Sequence, residues 1–342
     1  MSEQPESQET PQAPAGVIAC LTSAFELLAQ APQLLLLPLA LDLFLWLGPR
    51  LAANPLVEPL LTAIKATAPT MAETQSLYQA LTDYLTEFGQ GFNLFALLSP
   101  GPLLGTPALM GGQLTLESPL GTRATISLPS ASASLGWSIV LIIVGLSLTA
   151  VYLGQIGKHV LIYTEAPLPG PTTPLGLWGQ LLRLMVILVF LGGGALMAVS
   201  TMISIIVLIS QTLASLLTML FISLGLFIGV HFIYTIPGMV QLRHAPLPAM
   251  QESVLLTRVE FAGVMQLLLL AVVFTQGLNF VWTLPEPSSW ATLVGIGGHA
   301  IISTVLTLTL FIFYQERLAY PRAAKCVCAQ RGPCDALRPR YA

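Results

Sequence analysis

Charge is what this chain has least of. Only 8% of its 342 residues are Asp, Glu, Lys or Arg, against about 25% in a soluble globular protein. With 54% hydrophobic residues and a mean hydropathy of +0.78, that deficit points to lipid as the solvent. The formal net charge of −3 gives no footing for nucleic-acid binding. Residues 1–15 hold Glu3, Glu6 and Glu9 but no Lys or Arg, so the positive n-region of a cleavable signal peptide is missing. That polar, Pro- and Gln-rich stretch reads as a disordered tail.

Other absences narrow the chemistry. No G-x-x-x-x-G-K-[ST] is present, which argues against a P-loop ATPase. No H-E-x-x-H, no G-x-S-x-G and no Asp/Glu cluster for magnesium occurs. With four His in the whole chain, a metal-dependent intramembrane enzyme has too few ligands. No catalytic residue and no cofactor is assigned.

What is present is apolar length. A helix needs about 20 apolar residues to cross the hydrocarbon core, and six stretches qualify: 33–49, 135–157, 184–209, 212–234, 261–283 and 289–314. The first is short and carries Pro38 and Asp42. The third and fourth, parted by Ser210-Gln211-Thr212, read as a tight helical hairpin. The fold class expected is an all-α integral membrane protein with six transmembrane helices, interfacial elbow helices, and a small, mainly helical outer segment over 50–134 that includes a β-hairpin.

Basic residues set the expected orientation, since Lys and Arg concentrate in cytoplasmic loops. With the N-terminus inside, ten lie on the inner side (Lys158, Arg183, Arg243, Arg258, Arg317, Arg322, Lys325, Arg331, Arg338, Arg340) and three on the outer side (Arg50, Lys65, Arg123). Both termini are therefore expected in the cytoplasm of a multi-pass plasma-membrane protein. Trp46, Trp137, Trp282 and Trp290 fall at outer span ends and Trp178 at an inner entry, as interfacial rings do. Cys20, Cys326, Cys328 and Cys334 then face a reducing compartment, which argues against structural disulfides. The basic tail 321–342 suits anionic headgroups, at about 1 kcal/mol per basic residue near the surface. It would equally serve to fix topology.

Three spans follow an amphipathic segment ending in Gln-Leu-Leu-x-Leu: Gly16–Gln30 before Gln33–Leu37, about 173–183 through Gln180–Leu184, and about 247–260 before Gln266–Leu270. The expected plan is three units, each an elbow plus a helical hairpin. In the outer insertion, Leu77, Leu81, Tyr84, Leu85, Phe88 and Phe92 form a helical stripe. Ser118-Pro119-Leu120-Gly121 suits a type I turn between 113–116 and 124–128. This insertion reads either as a lid over an outward pocket or as a cap over the span ends.

Asp42 is the most unusual residue. A carboxylate mid-span costs on the order of 3 kcal/mol, so it is expected to be protonated or to face a partner inside the bundle. His299 lies a third to halfway down the sixth span and would meet Asp42 if those spans are neighbours. That pair reads as a proton relay or substrate contact, or as a buried bond that fixes packing. His231, Gln276 and Asn279 are candidates for bridging helices. Gly225-x-x-x-Gly229 and Gly192-Gly193-Gly194-Ala195 would let helices approach closely. Cys326-x-Cys328-x5-Cys334 invites a zinc reading, but three thiols at that spacing fall short of a structural site.

Pro248-Ala249-Met250-Gln251-Glu252-Ser253-Val254-Leu255-Leu256-Thr257-Arg258-Val259-Glu260-Phe261 resembles a segment of bacterial multi-pass proteins related to the membrane domain of glycerophosphodiester phosphodiesterases. The pattern in this chain is Ala249-x-x-x-Ser253-x-x-Leu256-x-x-x-x-Phe261 ahead of a Leu-rich span. The resemblance implies an integral membrane domain, transfers no site residue, and comes without a phosphodiesterase motif. The expected function is a non-enzymatic scaffold or accessory subunit; the alternative is a small-solute or lipid transporter with a site near Asp42 and His299.

Overall fold

The computed structural model describes residues 14–66, 72–100, 105–114, 117–166, 169 and 173–331, without the side chains of 72–74, 76, 77 and 319–331. The chain is an all-α, membrane-type fold: among the described residues five helices are long and apolar enough to span a bilayer, and six if a bent pair is one span.

That bent pair opens the molecule. α1 (Val17–Gln30) meets the segment Pro32–Leu47 at 94°. The turn is forced at Ala31, whose backbone is non-helical, and at Pro32, which has no N–H to continue the ladder. After the 3-10 turn Pro32–Leu35 comes α2 (Leu36–Leu47). α2 has 12 residues, so this pair is long enough to cross only when α1 is counted with it, as a broken span or a re-entrant turn, rather than as the expected span over 33–49. α1 buries Val17, Cys20, Ala24, Leu27 and Leu28. The Ala15 carbonyl accepts from Arg317, and the Tyr163 hydroxyl donates to Glu26. α1 therefore caps the end of the bundle where Ala15, near the first described residue, meets Arg317 of the last helix; this is the termini face.

The insertion follows on the opposite face. β1 (Arg50–Leu51) leads to α3 (Asn54–Ala66) and α4 (Ala72–Gly91). Two 3-10 turns, Leu94–Leu98 and Met110–Gly112, then dip into the bundle. The turn Ser118-Pro119-Leu120-Gly121 joins β2 (Glu117–Ser118) to β3 (Gly121–Thr122), with Gly121 at φ 98°. The expected flanking stretch over 124–128 does not close that hairpin. Instead β4 (Thr125–Ile126) pairs in parallel with β1, tying the two ends of the insertion together at the membrane entry.

α5 (Ala131–Tyr163) is the central mast, capped by Ser130, whose hydroxyl accepts from Ala133 N–H. Gly145 lets the insertion lie against it, because a Cβ there would stand 2.7 Å from the Leu98 carbonyl oxygen. α6 (Pro174–Ile187) packs Leu177, Leu181 and Leu184 on α5. It then runs through a π-turn at Leu188–Gly192 into α7 (Gly193–Val207) as one 34-residue helix. The second elbow therefore does not separate from its span. α8 (Gln211–Val230) returns after a cap at Ser210.

α9 (Thr235–Gln241) is buried along its whole length. α10 (Pro246–Val259) is the third elbow and breaks at Glu260. α11 (Phe261–Val272), a π-turn at Val273–Gly277 and α12 (Leu278–Trp282) form the fifth span. α13 (Thr292–Arg331) is the sixth and continues well past the expected end at 314, so the start of the basic tail is helical. The main core joins α1, α5, α6, α9, α10, α11 and α13.

Candidate functional site

The structure brings Asp42 and His299 together. Asp42 is fully buried on α2. Its Oδ2 accepts from Leu109 N–H at 3.0 Å and its Oδ1 from Met110 N–H at 2.8 Å. Those are donors at the start of the 3-10 turn Met110–Gly112, so the carboxylate acts as that turn's cap. His299 Nδ1 faces Asp42 Oδ2 at 3.8 Å and has no hydrogen bond. Around them Leu41, Leu45, Trp46, Leu109, Met110 and Ile296 form a small apolar cluster. An acid in this setting survives because backbone N–H groups of the insertion replace water.

A cavity of about 560 Å³ lies beside this pair. His299, Ser303 and Thr307 of α13 form one wall, Thr275 of the fifth span a second, and the insertion stretches around Ala96–Ser99 and Gly105–Gly112 a third. Asp42 does not line it; His299 stands between the carboxylate and the cavity.

Two arginines lock the insertion. Arg50, buried, donates to the Gln90 and Gly91 carbonyls that end α4. Arg123 donates to the Leu45 carbonyl in the last turn of α2. A cation at a helix C-terminus meets both the dipole and the orphan carbonyls. Burial, and secondarily the Arg50 charge, lowers the Arg123 pKa to about 10, and burial lowers that of Arg50 as well.

The other expected residues are placed differently. His231 bonds through Nδ1 to Phe227 O on its own helix and lies tilted against Phe261. Helix bridging there falls to Ser253, whose hydroxyl donates to the His231 carbonyl and accepts from Tyr234 N–H. Gln276 and Asn279 are exposed, and neither side chain bonds another helix among the described residues. No helix approaches Gly192, Gly193, Gly194, Gly225 or Gly229, where an added Cβ would meet open space. Trp46, at the end of α2, is packed inside protein: it is fully buried, donating to Pro287 O and meeting Trp290 edge-on at 5.7 Å. Cys334 lies outside the described residues, as do the side chains of Cys326 and Cys328.

A polar cluster on the termini face escaped the sequence reading. Glu252 accepts from the Tyr314 hydroxyl and pairs with His244 at 2.8 Å. Gln241, fully buried, donates to Phe311 O. Arg317 lies 3.6 Å over the Phe313 ring with Glu260 at 3.9 Å. Its only signal in the sequence is polar side chains at the inner ends of two apolar stretches, which looks the same as ordinary helix ends.

No protein-family model, no curated protein and no solved structure matches this chain.

Proposed function

We propose that this protein is a non-enzymatic scaffold or accessory subunit of a membrane complex, seated in the plasma membrane with both termini in the cytoplasm and the insertion outside. The observation that carries the reading is the α7–α8 hairpin. Only 6% of the most apolar stretch of the 174–207 helix is buried, and 6% of that of 211–241, against 44% for α5 and 50% for the sixth span. α7 buries no residue and α8 only Ala214. The two pack chiefly on each other. Their open glycines and the Ser200 and Ser204 hydroxyls suit close docking of further helices, because association in lipid depends on small residues and close packing rather than on the hydrophobic effect. The ten-to-three basic asymmetry supports the orientation. The transporter reading is weaker, since both Asp42 oxygens are spent on the insertion backbone and Asp42 does not line the cavity beside His299.

The test is particle mass after extraction from the native membrane into polymer-bounded lipid discs. Wild type is expected well above the 36.5 kDa of the chain. Gly225→Leu with Gly229→Leu is expected at monomer mass with an unchanged melting temperature. A wild type that is already monomeric in such discs overturns the proposal.

A further inference from the structure

The cavity beside His299 has a consistent hydrogen-bonding character. Each hydroxyl in its wall already spends its proton on backbone. Ser303 donates to His299 O, Thr307 to Ser303 O, Thr275 to Ala271 O, and Ser99 to Thr106 O. What these oxygens still offer is lone pairs. His299 presents its ring to the same wall, with Nδ1 3.8 Å from Asp42 Oδ2. The hydroxyls of this wall are therefore acceptors, and a ligand must bring donors.

The same groups bear on charge. An anion would meet acceptors with a carboxylate behind them. The same carboxylate would attract an ammonium, but Asp42 does not line the cavity and its oxygens are bonded to Leu109 and Met110 N–H, so an ammonium would be buried there without a direct counter-ion. A neutral polyol fits best.

Depth decides between a free polyol and a lipid head. His299 and Thr307 lie seven and fifteen residues into α13, about 10 and 22 Å along its axis, at the level of hydrocarbon. On the fifth span, Val272, Thr275 and Asn279 are all exposed. The Thr275 wall thus opens on a surface that lipid would cover. Ala96, Pro107, Ala108, Ala271 and Leu306 supply apolar lining for a chain, and the volume lies within the usual range for small-ligand sites, about 300–1,000 Å³.

We propose that this cavity is a lipid site of the insertion-side leaflet, which takes the uncharged, hydroxyl-bearing head of a glycerolipid or glycolipid. The site stands independently of the assembly role of α7–α8. It gives the insertion a function beyond shielding, because one wall of the site is insertion backbone.

The experiment uses the full chain in phosphatidylcholine nanodiscs with a diazirine-bearing monoacylglycerol as the probe. Illumination is expected to label residues 296–310 and 105–114. Unlabelled monooleoylglycerol is expected to reduce that labelling at least tenfold, whereas equal concentrations of glycerol, oleate or dodecylammonium leave it unchanged. His299→Phe and Gly112→Leu are each expected to reduce it tenfold. Gly112→Leu adds its side chain where an added Cβ meets nothing within 4 Å, so it keeps the fold even if His299→Phe does not. Full labelling of a Gly112→Leu protein that melts like wild type overturns the proposal. Equal competition by glycerol would make the site one for free polyols, and equal competition by oleate or dodecylammonium would make it one for charged heads; either result also overturns it.

Discussion

Asp42 shows how one acid is kept inside an apolar helix. Its two oxygens take two N–H groups from a loop 67 and 68 residues away, and that loop gains a cap it has no local residue to provide. Asp42→Asn keeps one acceptor and turns an N–H₂ toward the other donor. The expected loss is about 1–3 kcal/mol, the penalty for leaving a buried donor unpaired. The segment 105–114 should become protease-sensitive before the spans unfold; a variant as resistant as wild type sinks the clamp. Ser253→Ala removes the hydroxyl that links the His231 carbonyl to the Tyr234 N–H and is expected to lower the melting temperature. Arg123 supplies a pH test. Its pKa is lowered in the fold to about 10 from 12.5, so the folded state binds this proton less tightly than the unfolded chain. Stability from this residue therefore rises as pH climbs through 10. The melting temperature of wild type relative to Arg123→Met should shift in favour of wild type between pH 7.5 and 10.5. A difference that stays constant contradicts that assignment.

Among elements, the contrast is between glycines that are filled against and glycines that are not. At Gly145 a side chain meets the Leu97 and Leu98 carbonyls, and at Gly157 it meets Val240 at 2.4 Å. Gly145→Leu should push the Leu94–Leu98 turn off α5, read as faster amide exchange over 94–112 with α13 unchanged. Exchange that matches wild type would mean the insertion is held without this contact. The π-turn at Leu188–Gly192 marks where the α6–α7 helix stops following α5 and stands clear of the bundle. A π-turn changes helix register locally, which lets one helix serve the core on one half and the open surface on the other.

For the whole molecule, the insertion and the termini lie at opposite ends of one bundle, held by α5 and α13. Leu120 is 70% exposed at the tip of the small hairpin. With the termini cytoplasmic, Leu120→Cys should react with a membrane-impermeant maleimide on intact cells, while the wild-type cysteines stay unlabelled until the cells are opened. Labelling of Leu120→Cys only after lysis would invert the topology.

The spans, their order and the turn at Ser118–Gly121 were legible from local pattern: apolar length, capping residues, and Pro and Gly at turn positions. The break between the amphipathic segment Gly16–Gln30 and the apolar stretch after it was legible for the same reason, since Pro32 interrupts the ladder wherever it stands. The meeting of Asp42 with His299 could be read only as a condition, because it needs α2 beside α13. What occupies Asp42, the capping role of Arg50 and Arg123, and the acceptor-lined cavity belong to the tertiary structure alone. Each joins residues far apart in the chain, and hydrogen bonds between a side chain and a distant backbone leave no periodicity in sequence. The glycine runs teach the same lesson in reverse. G-x-x-x-G permits close approach, but whether a helix arrives is decided by packing, and among the described residues nothing lies within 4 Å of a Cβ added at Gly225 or Gly229.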